Sequence, residues 1–179
     1  MLTYQRFFNT IVTIKIMDTR IQRNPKASKD EWYTPKWIID LLGPFDLDPC
    51  APMTPMFKTA EIMYNKVQDG LKQLWPENAV VWLNPPYSKT LLRAFVEKMT
   101  IHNNGIAILI NRQDNLLFQN LVFPVAKSMI FMRHRVKFID QGGTIGHPFF
   151  GSCLVAFGKE CDLRLKQSGI EGKYVKLND

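Results

Sequence analysis

Continuous apolar runs alternate along the chain with segments of helical periodicity, a pattern typical of an α/β fold. Residues 80–83 and 106–110 are rich in branched apolar side chains, as expected of strands buried on both faces of a sheet. Further strand-like runs cover residues 128–132, 136–139 and 153–157. The pattern therefore predicts an α/β fold with a mostly parallel sheet.

Helical periodicity is clearest at residues 89–101, and Asn103-Asn104-Gly105 is expected to end this helix. The apolar side chains that share one face of it are Leu91, Leu92, Phe95, Val96 and Met99. Another helix is predicted through residues 116–122, and it is expected to end near Pro124.

A shorter helix is predicted near the start of the chain. Thr34 is a good N-cap and Pro35 a good first helical residue, and Gly43-Pro44 ends the pattern. The residues of its apolar stripe are Trp37, Ile38, Leu41 and Leu42.

The distribution of polar residues predicts one folded domain with two flanking segments. Residues 20–30 are polar and basic, so residues 1–29 are predicted to be a partly flexible N-terminal extension. The apolar run near its start belongs either to an edge strand or to an appendage that precedes the true start at Met17. We predict that the domain covers residues 30–160 and that residues 161–179 are a C-terminal tail.

Composition argues against a disordered chain and favours an anionic partner. The 179 residues are 46% hydrophobic and 22% charged, which is ordinary for a globular domain. The net charge of +7 suits binding to nucleic acid, although a modest basic surplus also aids solubility. Nothing in the composition indicates an oligomeric state.

Cysteine usage and hydropathy bear on the compartment. The three cysteines are far apart and form no CxxC pair, so free thiols in a reducing compartment are expected, and no metal site is expected. No apolar run approaches the ~20 residues of a membrane span, and no signal-peptide pattern is present. We expect a cytoplasmic protein.

The segment Asn84-Pro85-Pro86-Tyr87 directly follows the strand predicted at residues 80–83. Two prolines end the strand in a rigid turn at its carboxyl end, where open α/β sheets bind ligands. The Asn84 amide oxygen and the Pro85 carbonyl both accept hydrogen bonds, and a single –NH₂ group donates two. The Tyr87 ring could stack on a planar group that carries this amine. The turn therefore predicts a clamp for an aromatic amine, although a Pro-Pro turn with a buried tyrosine has the same sequence.

A second polar group is predicted at a strand end. Residues 45–48 alternate apolar and acidic side chains before Pro49, so the Asp48 carboxylate should point into the same ligand crevice. There it could accept hydrogen bonds from ribose hydroxyls or pair with an amino group. A solvated aspartate on an edge strand is the alternative.

Four motifs in this order resemble the phage DNA N-6-adenine-methyltransferase family over about residues 30–157. They are Asp30-Glu31-Trp32-x-Thr34-Pro35, Asp48-Pro49-Cys50-Ala51, Asp69-Gly70-Leu71 and Trp82-Leu83-Asn84-Pro85-Pro86-Tyr87-Ser88. The resemblance implies a trimmed, Rossmann-like methyltransferase domain with S-adenosylmethionine as donor and adenine in DNA as substrate.

The resemblance also implies roles for individual residues. The catalytic loop would be formed by Asn84, Pro85, Pro86 and Tyr87. The cofactor would be bound by Thr34, Pro35, Asp48, Pro49, Cys50 and Asp69. The glycine-rich loop common in methyltransferases is replaced by Asp-Pro-Cys-Ala, and the chain from Asp48 to Asn84 is too short for two full βα units. Glu61 and Asp69 are both candidates for the group that holds the cofactor's ribose or adenine, with Asp69 favoured by the resemblance.

Basic residues suggest where DNA would bind. Arg133, Arg135 and Lys137, beside His134, could contact phosphates, and the alternative is a solvated basic edge. A second candidate surface comprises Lys89, Arg93 and Arg112. The glycine-dense loop at residues 141–148 is predicted to be a flexible lid near the target base.

Other activities remain open at this point. The same tetrapeptide occurs in enzymes that methylate glutamine side chains of proteins, and an RNA or cytosine amino-methyltransferase or an inactive nucleic-acid-binding relative is also compatible with the sequence. The basic charge and the four ordered motifs favour DNA adenine.

Overall fold

The structure, a computed structural model, describes residues 32–139, 145–146 and 149–179. Its helices are α1 (Lys36–Leu42), α2 (Lys89–His102), a short π-helix (Phe118–Val122) and α3 (Lys159–Gln167). Its strands are β1 (Leu47–Asp48), β2 (Ile62–Met63), β3 (Val81–Leu83), β4 (Gly105–Ile110), β5 (Ser128–Met132), β6 (Ser152–Phe157) and β7 (Gly172–Lys176).

The seven strands form one sheet in the order β2-β1-β3-β4-β6-β5-β7. The β1·β2, β1·β3 and β3·β4 pairs are parallel, whereas β6 is antiparallel to both β4 and β5, and β7 is antiparallel to β5. Strands β1 to β5 therefore all point the same way, and we call the end of the sheet at which they finish its carboxyl end.

The prediction of a mostly parallel sheet is wrong. Half of the strand pairings are antiparallel, and these have the longer ladders. The reversal arises at β6, which enters between β4 and β5. All of β6 is buried, and an apolar run buried on both faces contains no signal of strand direction.

Two apolar clusters cover the two faces of the sheet. Helices α1 and α3 bury Ile38, Leu42 and Leu165 against one face, which includes Trp82 and Ile106. The side chains that α2 and the π-helix pack against the other face are Phe95, Val96, Met99, Phe118 and Val122. Along β4, successive residues alternate between the two clusters, as the two-residue period of a strand requires.

Helix α2 forms almost as predicted. It covers Lys89–His102, and the next residue, Asn103, has a φ of 52°, the left-handed conformation common after a helix. Helix α1 also forms, but its buried face differs from the predicted stripe. Ile39 is buried, while Trp37 and Leu41 are about half exposed.

Three predicted segments differ from the structure or lie outside it. Residues 136–139 form no strand and contribute two isolated bridges, both through Ile139, to Tyr33 and to Ile145. Residues 161–179, predicted to be a tail, contain most of α3 and all of β7, which extends the sheet. The predicted N-terminal extension (residues 1–29) and most of the glycine-dense loop lie outside the described residues.

No helix in the described part of the chain is both long and apolar enough to cross a membrane. Within the same residues, no group of three or more His, Cys, Asp or Glu side chains is arranged to hold a metal ion.

Candidate active site

A cavity of about 580 Å³ opens at the carboxyl end of the sheet, beside β1 and β3. The chain leaves β1 toward β2 on one side and returns to β3 on the other, so β1 and β3 flank a topological switch point. The lining residues come from the segments that follow the first three strands and from the start of α2: residues 49–52, 65–66, 69–70 and 84–88, with Trp32, Leu91 and Phe95.

The loop after β1 is held in place by Asp48. The prediction that the Asp48 carboxylate points into the ligand crevice is wrong, because Asp48 does not line the cavity. Asp48 is only 3% exposed. One carboxylate oxygen accepts a hydrogen bond from the Cys50 amide (2.9 Å) and the other from the Thr59 hydroxyl (2.5 Å). Burial raises the pKa of Asp48 to about 6, against the opposing effect of these two hydrogen bonds. Asp48 therefore stabilises the conformation of the 49–52 loop through these hydrogen bonds.

The loop after β2 forms the opposite wall and touches the first. A Cβ at Gly70 would lie 2.1 Å from the Pro49 carbonyl oxygen, so only glycine allows the two loops to approach this closely. Asp69 lines the cavity with a φ of 55°, and its carboxylate accepts a hydrogen bond from the Leu71 amide at 3.2 Å. Glu61, the other candidate for cofactor contact, is exposed, pairs with Lys58 and does not line the cavity.

Lys98 fixes the Asp69-Gly70 loop from α2. Its ammonium group donates to the carbonyl oxygens of Leu71 (2.7 Å) and Gln73 (2.6 Å), with a longer contact to that of Gly70 (3.4 Å). It also lies 5.0 Å from the centre of the Trp75 ring. Burial lowers the pKa of Lys98, and the Asp69 carboxylate opposes this effect. The helix that follows residues 84–88 thus also holds the second wall of the cavity.

Asn84 has a defined amide orientation. Its side-chain nitrogen donates to the main-chain oxygen of Trp32 (3.0 Å) and to the Thr34 hydroxyl oxygen (3.3 Å). A carbonyl oxygen only accepts hydrogen bonds, so Trp32 determines which end of the amide is nitrogen. Asn84 lines the cavity, and among the hydrogen bonds of the described residues none is donated to its side-chain oxygen.

Tyr87 contributes an aromatic ring to the lining of the cavity, while its hydroxyl donates to the Ile108 carbonyl at 3.4 Å. Burial raises the pKa of the Tyr87 phenol, which is therefore neutral at physiological pH. Pro85 is buried and Pro86 is partly exposed at the wall. The turn after β3 thus presents an amide oxygen and an aromatic ring together.

The structure brings most of the predicted catalytic and cofactor-binding residues to one cavity. Asn84, Pro85, Pro86, Tyr87, Pro49, Cys50 and Asp69 all line it. Thr34 reaches the site through Asn84, whereas Pro35 is buried just before α1 and, like Asp48, does not line the cavity. Burial and the nearby Asp48 raise the pKa of the Cys50 thiol well above its usual value, so Cys50 is a poor nucleophile.

Sequence reasoning missed Trp32. This residue lines the cavity and orients Asn84 with its main-chain carbonyl. A Cβ at Gly146 would lie 2.4 Å from the Trp32 ring, so the described part of the loop between β5 and β6 packs directly against it. The sequence analysis included Trp32 in the Asp30-Glu31-Trp32-x-Thr34-Pro35 motif but assigned it no role.

The predicted DNA-binding residues follow elements that meet at the carboxyl end of the sheet. Lys89 and Arg93 are exposed on the first turns of α2, and Arg112 is exposed after β4. Arg133 is exposed after β5, where its guanidinium lies 3.8 Å from Glu171. Arg135 and Lys137 continue along the same exposed segment. Two basic groups therefore lie at the end of the sheet that contains the cavity.

Comparison with known proteins supplies the chemical class. A sequence model of the DNA N-6-adenine-methyltransferase (Dam) family matches residues 22–155. Among curated proteins, the DNA N-6-adenine-methyltransferase of Escherichia phage T1 is 38% identical over 92 residues. That match covers 48% of this chain and 37% of the phage protein, so the similar region is little more than a third of the relative's length. No solved structure matches the chain.

Proposed function

The chain belongs to the DNA N-6-adenine-methyltransferase family, and we propose that it transfers a methyl group from S-adenosylmethionine to the exocyclic N6 amine of adenine in DNA. The observation that carries this proposal is the orientation of Asn84. Because Trp32 and Thr34 accept both hydrogens of the Asn84 amide nitrogen, the amide oxygen is left to accept a hydrogen bond from a substrate. An –NH₂ group is the matching donor.

Two hydrogen-bond acceptors at the target amine would increase its nucleophilicity. The lone pair of an aromatic amine is delocalised into its ring, so the amine is a weak nucleophile. The Asn84 oxygen and the Pro85 carbonyl would draw the two amine hydrogens toward themselves and restore lone-pair density on nitrogen. Holding the amine in this geometry also supplies alignment, which contributes several kcal/mol to such displacements. The neutral Tyr87 ring would stack on the base.

The cavity suits the methyl donor. Its volume of about 580 Å³ lies within the range of small-molecule sites, and its wall combines apolar side chains with a few polar groups. We assign the Asp69 carboxylate to ribose or amino-group contact, since Asp69 lines the cavity and Glu61 does not. Residues 49–52 would pack against the cofactor, with Asp48 keeping them in place. When bound, S-adenosylmethionine supplies an electrophilic methyl group.

The strand arrangement supports a trimmed Rossmann-like methyltransferase fold. Strands β1 to β5 point in one direction, and the cavity lies at the carboxyl ends of the parallel strands. This is where doubly wound α/β proteins bind their ligands. The crossover between β1 and β3 contains only the short strand β2 and irregular segments, which is why the fold is trimmed.

DNA is the proposed partner because basic side chains near the cavity could bind the phosphates that flank a target adenine. The net charge is +7, and basic side chains follow β4, β5 and the start of α2. An adenine stacked in a duplex cannot reach the clamp, so it would have to leave the stack. The enzyme would then act where its DNA resides, in the cytoplasm of a host cell if a phage encodes it.

The test is methyl transfer from labelled S-adenosylmethionine to DNA, RNA and a protein extract, measured side by side. We expect label in DNA, and N6-methyladenine after digestion to nucleosides. Label confined to RNA or protein would identify a different acceptor, and label as methylcytosine would identify a different base. Heat-treated enzyme controls for non-enzymatic methylation.

A further inference from the structure

Two large aromatic side chains are exposed next to each other in the connection between β5 and β6. Phe149 is 68% exposed and Phe150 is 53% exposed. Adjacent exposed aromatic residues leave much apolar surface in water, which is unfavourable. Such surface commonly marks a site of interaction.

The position of these residues links them to the active site. Ile110 at the end of β4 pairs with Ser152, and the Asn111 amide donates to the Gly151 carbonyl at 2.8 Å, so Phe149 and Phe150 lie just beyond the carboxyl end of β4. The Tyr87 hydroxyl binds the carbonyl of Ile108 on the same strand. Leu154 of β6 pairs with Ile108, and Phe150 precedes Leu154 by four positions, which is roughly 13 Å at the rise of a strand.

The charge around the aromatic pair favours DNA as its occupant. The Arg112 guanidinium lies 5.5 Å from the centre of the Phe150 ring. Lys89 and Arg93 are exposed at the same end of the sheet. Apolar side chains flanked by cations match the chemistry of a duplex, in which charged phosphates surround stacked bases.

We propose that Phe149 and Phe150 form a wedge that enters the base stack of duplex DNA when the target adenine leaves it. This inference rests on the proposed function. Extrusion of a base removes its stacking with both neighbours, and an aromatic side chain placed in the gap restores part of that stacking. Arg112 holds Phe150 at the edge of the site and contacts the adjacent phosphates. A single strand has no paired stack to open, so the wedge acts on duplex substrates only.

The experiment compares one adenine-containing sequence as duplex and as single strand. The double variant Phe149→Ala/Phe150→Ala should lower kcat/KM on the duplex by about 10-fold or more, and on the single strand by no more than about 2-fold. The double variant Phe149→Trp/Phe150→Trp keeps the stacking surface and should retain duplex activity. Leu163→Ala, which removes a side chain 56% exposed on α3, is the matched control.

A second readout does not depend on methyl transfer. Wild-type protein bound to duplexes with 2-aminopurine in place of adenine should raise the fluorescence, and the double alanine variant should not. Equal losses on duplex and single strand, or an unchanged duplex rate, would overturn the wedge. Unchanged fluorescence with wild-type protein would also overturn it. Failure of wild-type protein to methylate either DNA would count against the proposed function, and the fluorescence would still decide on the wedge.

Discussion

The side-chain nitrogen of Asn84 lies 3.0 Å from the main-chain oxygen of Trp32, a residue 52 positions earlier in the chain. This hydrogen bond joins the turn after β3 to the segment before α1. Because it sets the orientation of the Asn84 amide, the segment at residues 32–34 belongs to the proposed clamp, although it precedes every strand of the sheet.

The Thr34 hydroxyl is the second acceptor for the Asn84 side-chain nitrogen. Removing this hydroxyl should leave the orientation of the Asn84 amide less well fixed. We expect Thr34→Val to lower kcat about 2- to 12-fold, the equivalent of one hydrogen bond. Cofactor affinity should be unchanged, because Thr34 does not line the cavity. Thr34→Ser keeps the hydroxyl and should restore kcat. A kcat loss of equal size in the serine variant would show that the methyl group of Thr34 matters instead.

Lys98 should matter for cofactor binding without touching the cofactor. Lys98→Met removes the donor to the carbonyls of Leu71 and Gln73, so the Asp69-Gly70 wall should loosen. We expect S-adenosylmethionine affinity to fall about 10-fold or more, the value of a charge-assisted hydrogen bond, with kcat at saturating cofactor retained. Calorimetry measures the affinity, and Lys166→Met on the exposed face of α3 is the control. Unchanged S-adenosylmethionine affinity in Lys98→Met would show that Lys98 does not support the cofactor site.

Asp48 should make stability fall as pH rises. Folding raises its pKa from 3.8 to about 6, so the protonated form is favoured in the folded state. The stability that this group contributes is fully present below pH 3.8 and is lost as pH rises through about 6. The shift corresponds to about 3 kcal/mol at 1.36 kcal/mol per unit.

Denaturant unfolding of wild type and Asp48→Asn between about pH 3.5 and about pH 7.5 measures this effect, because this range includes both 3.8 and about 6. The unfolding free energy of wild type minus that of the variant should decrease across this range. Asp114→Asn, which alters an exposed carboxylate, is the control. A difference that is constant with pH, or that grows, would contradict the assignment.

The basic segment after β5 should contact phosphates. Arg133→Gln/Lys137→Gln should weaken binding to all duplex sequences about equally and lower the slope of log affinity against log salt by about 0.9 per contact, or about 1.8. Lys159→Gln/Lys166→Gln removes the same charge from α3 and should leave the slope nearly unchanged. Parallel slopes for wild type and the first variant would mean that this segment touches no phosphate, and would favour Lys89, Arg93 and Arg112.

The sequence predicted those parts of the fold that depend on local pattern. Helix α2, strands β4 and β5 and the turn at Asn84 follow from periodicity, the Asn103-Asn104-Gly105 helix end and two prolines. The direction of β6 could not be predicted, because a strand buried on both faces has the same sequence pattern in either direction. Strand β7 was missed since its residues are mostly exposed and polar, as is common on an edge strand.

The site was predictable where one residue type suffices and unpredictable where it depends on packing. Asn84 and Tyr87 were identified from their own chemistry and the strand before them. Asp48 was placed at the right strand end, but its burial and its bonds to Cys50 and Thr59 come from tertiary packing. The role of Trp32 depends on a main-chain carbonyl, which every residue has and which no sequence pattern distinguishes.

The measurement that tests the central claim most directly is turnover and cofactor affinity in Asn84→Ala, with Asn120→Ala in the exposed part of the π-helix as control. The proposed clamp predicts that Asn84→Ala forms no detectable N6-methyladenine in DNA, while its S-adenosylmethionine affinity stays within about twofold of wild type. Near-normal turnover in Asn84→Ala would show that Asn84 does not hold the target amine, and would contradict the account.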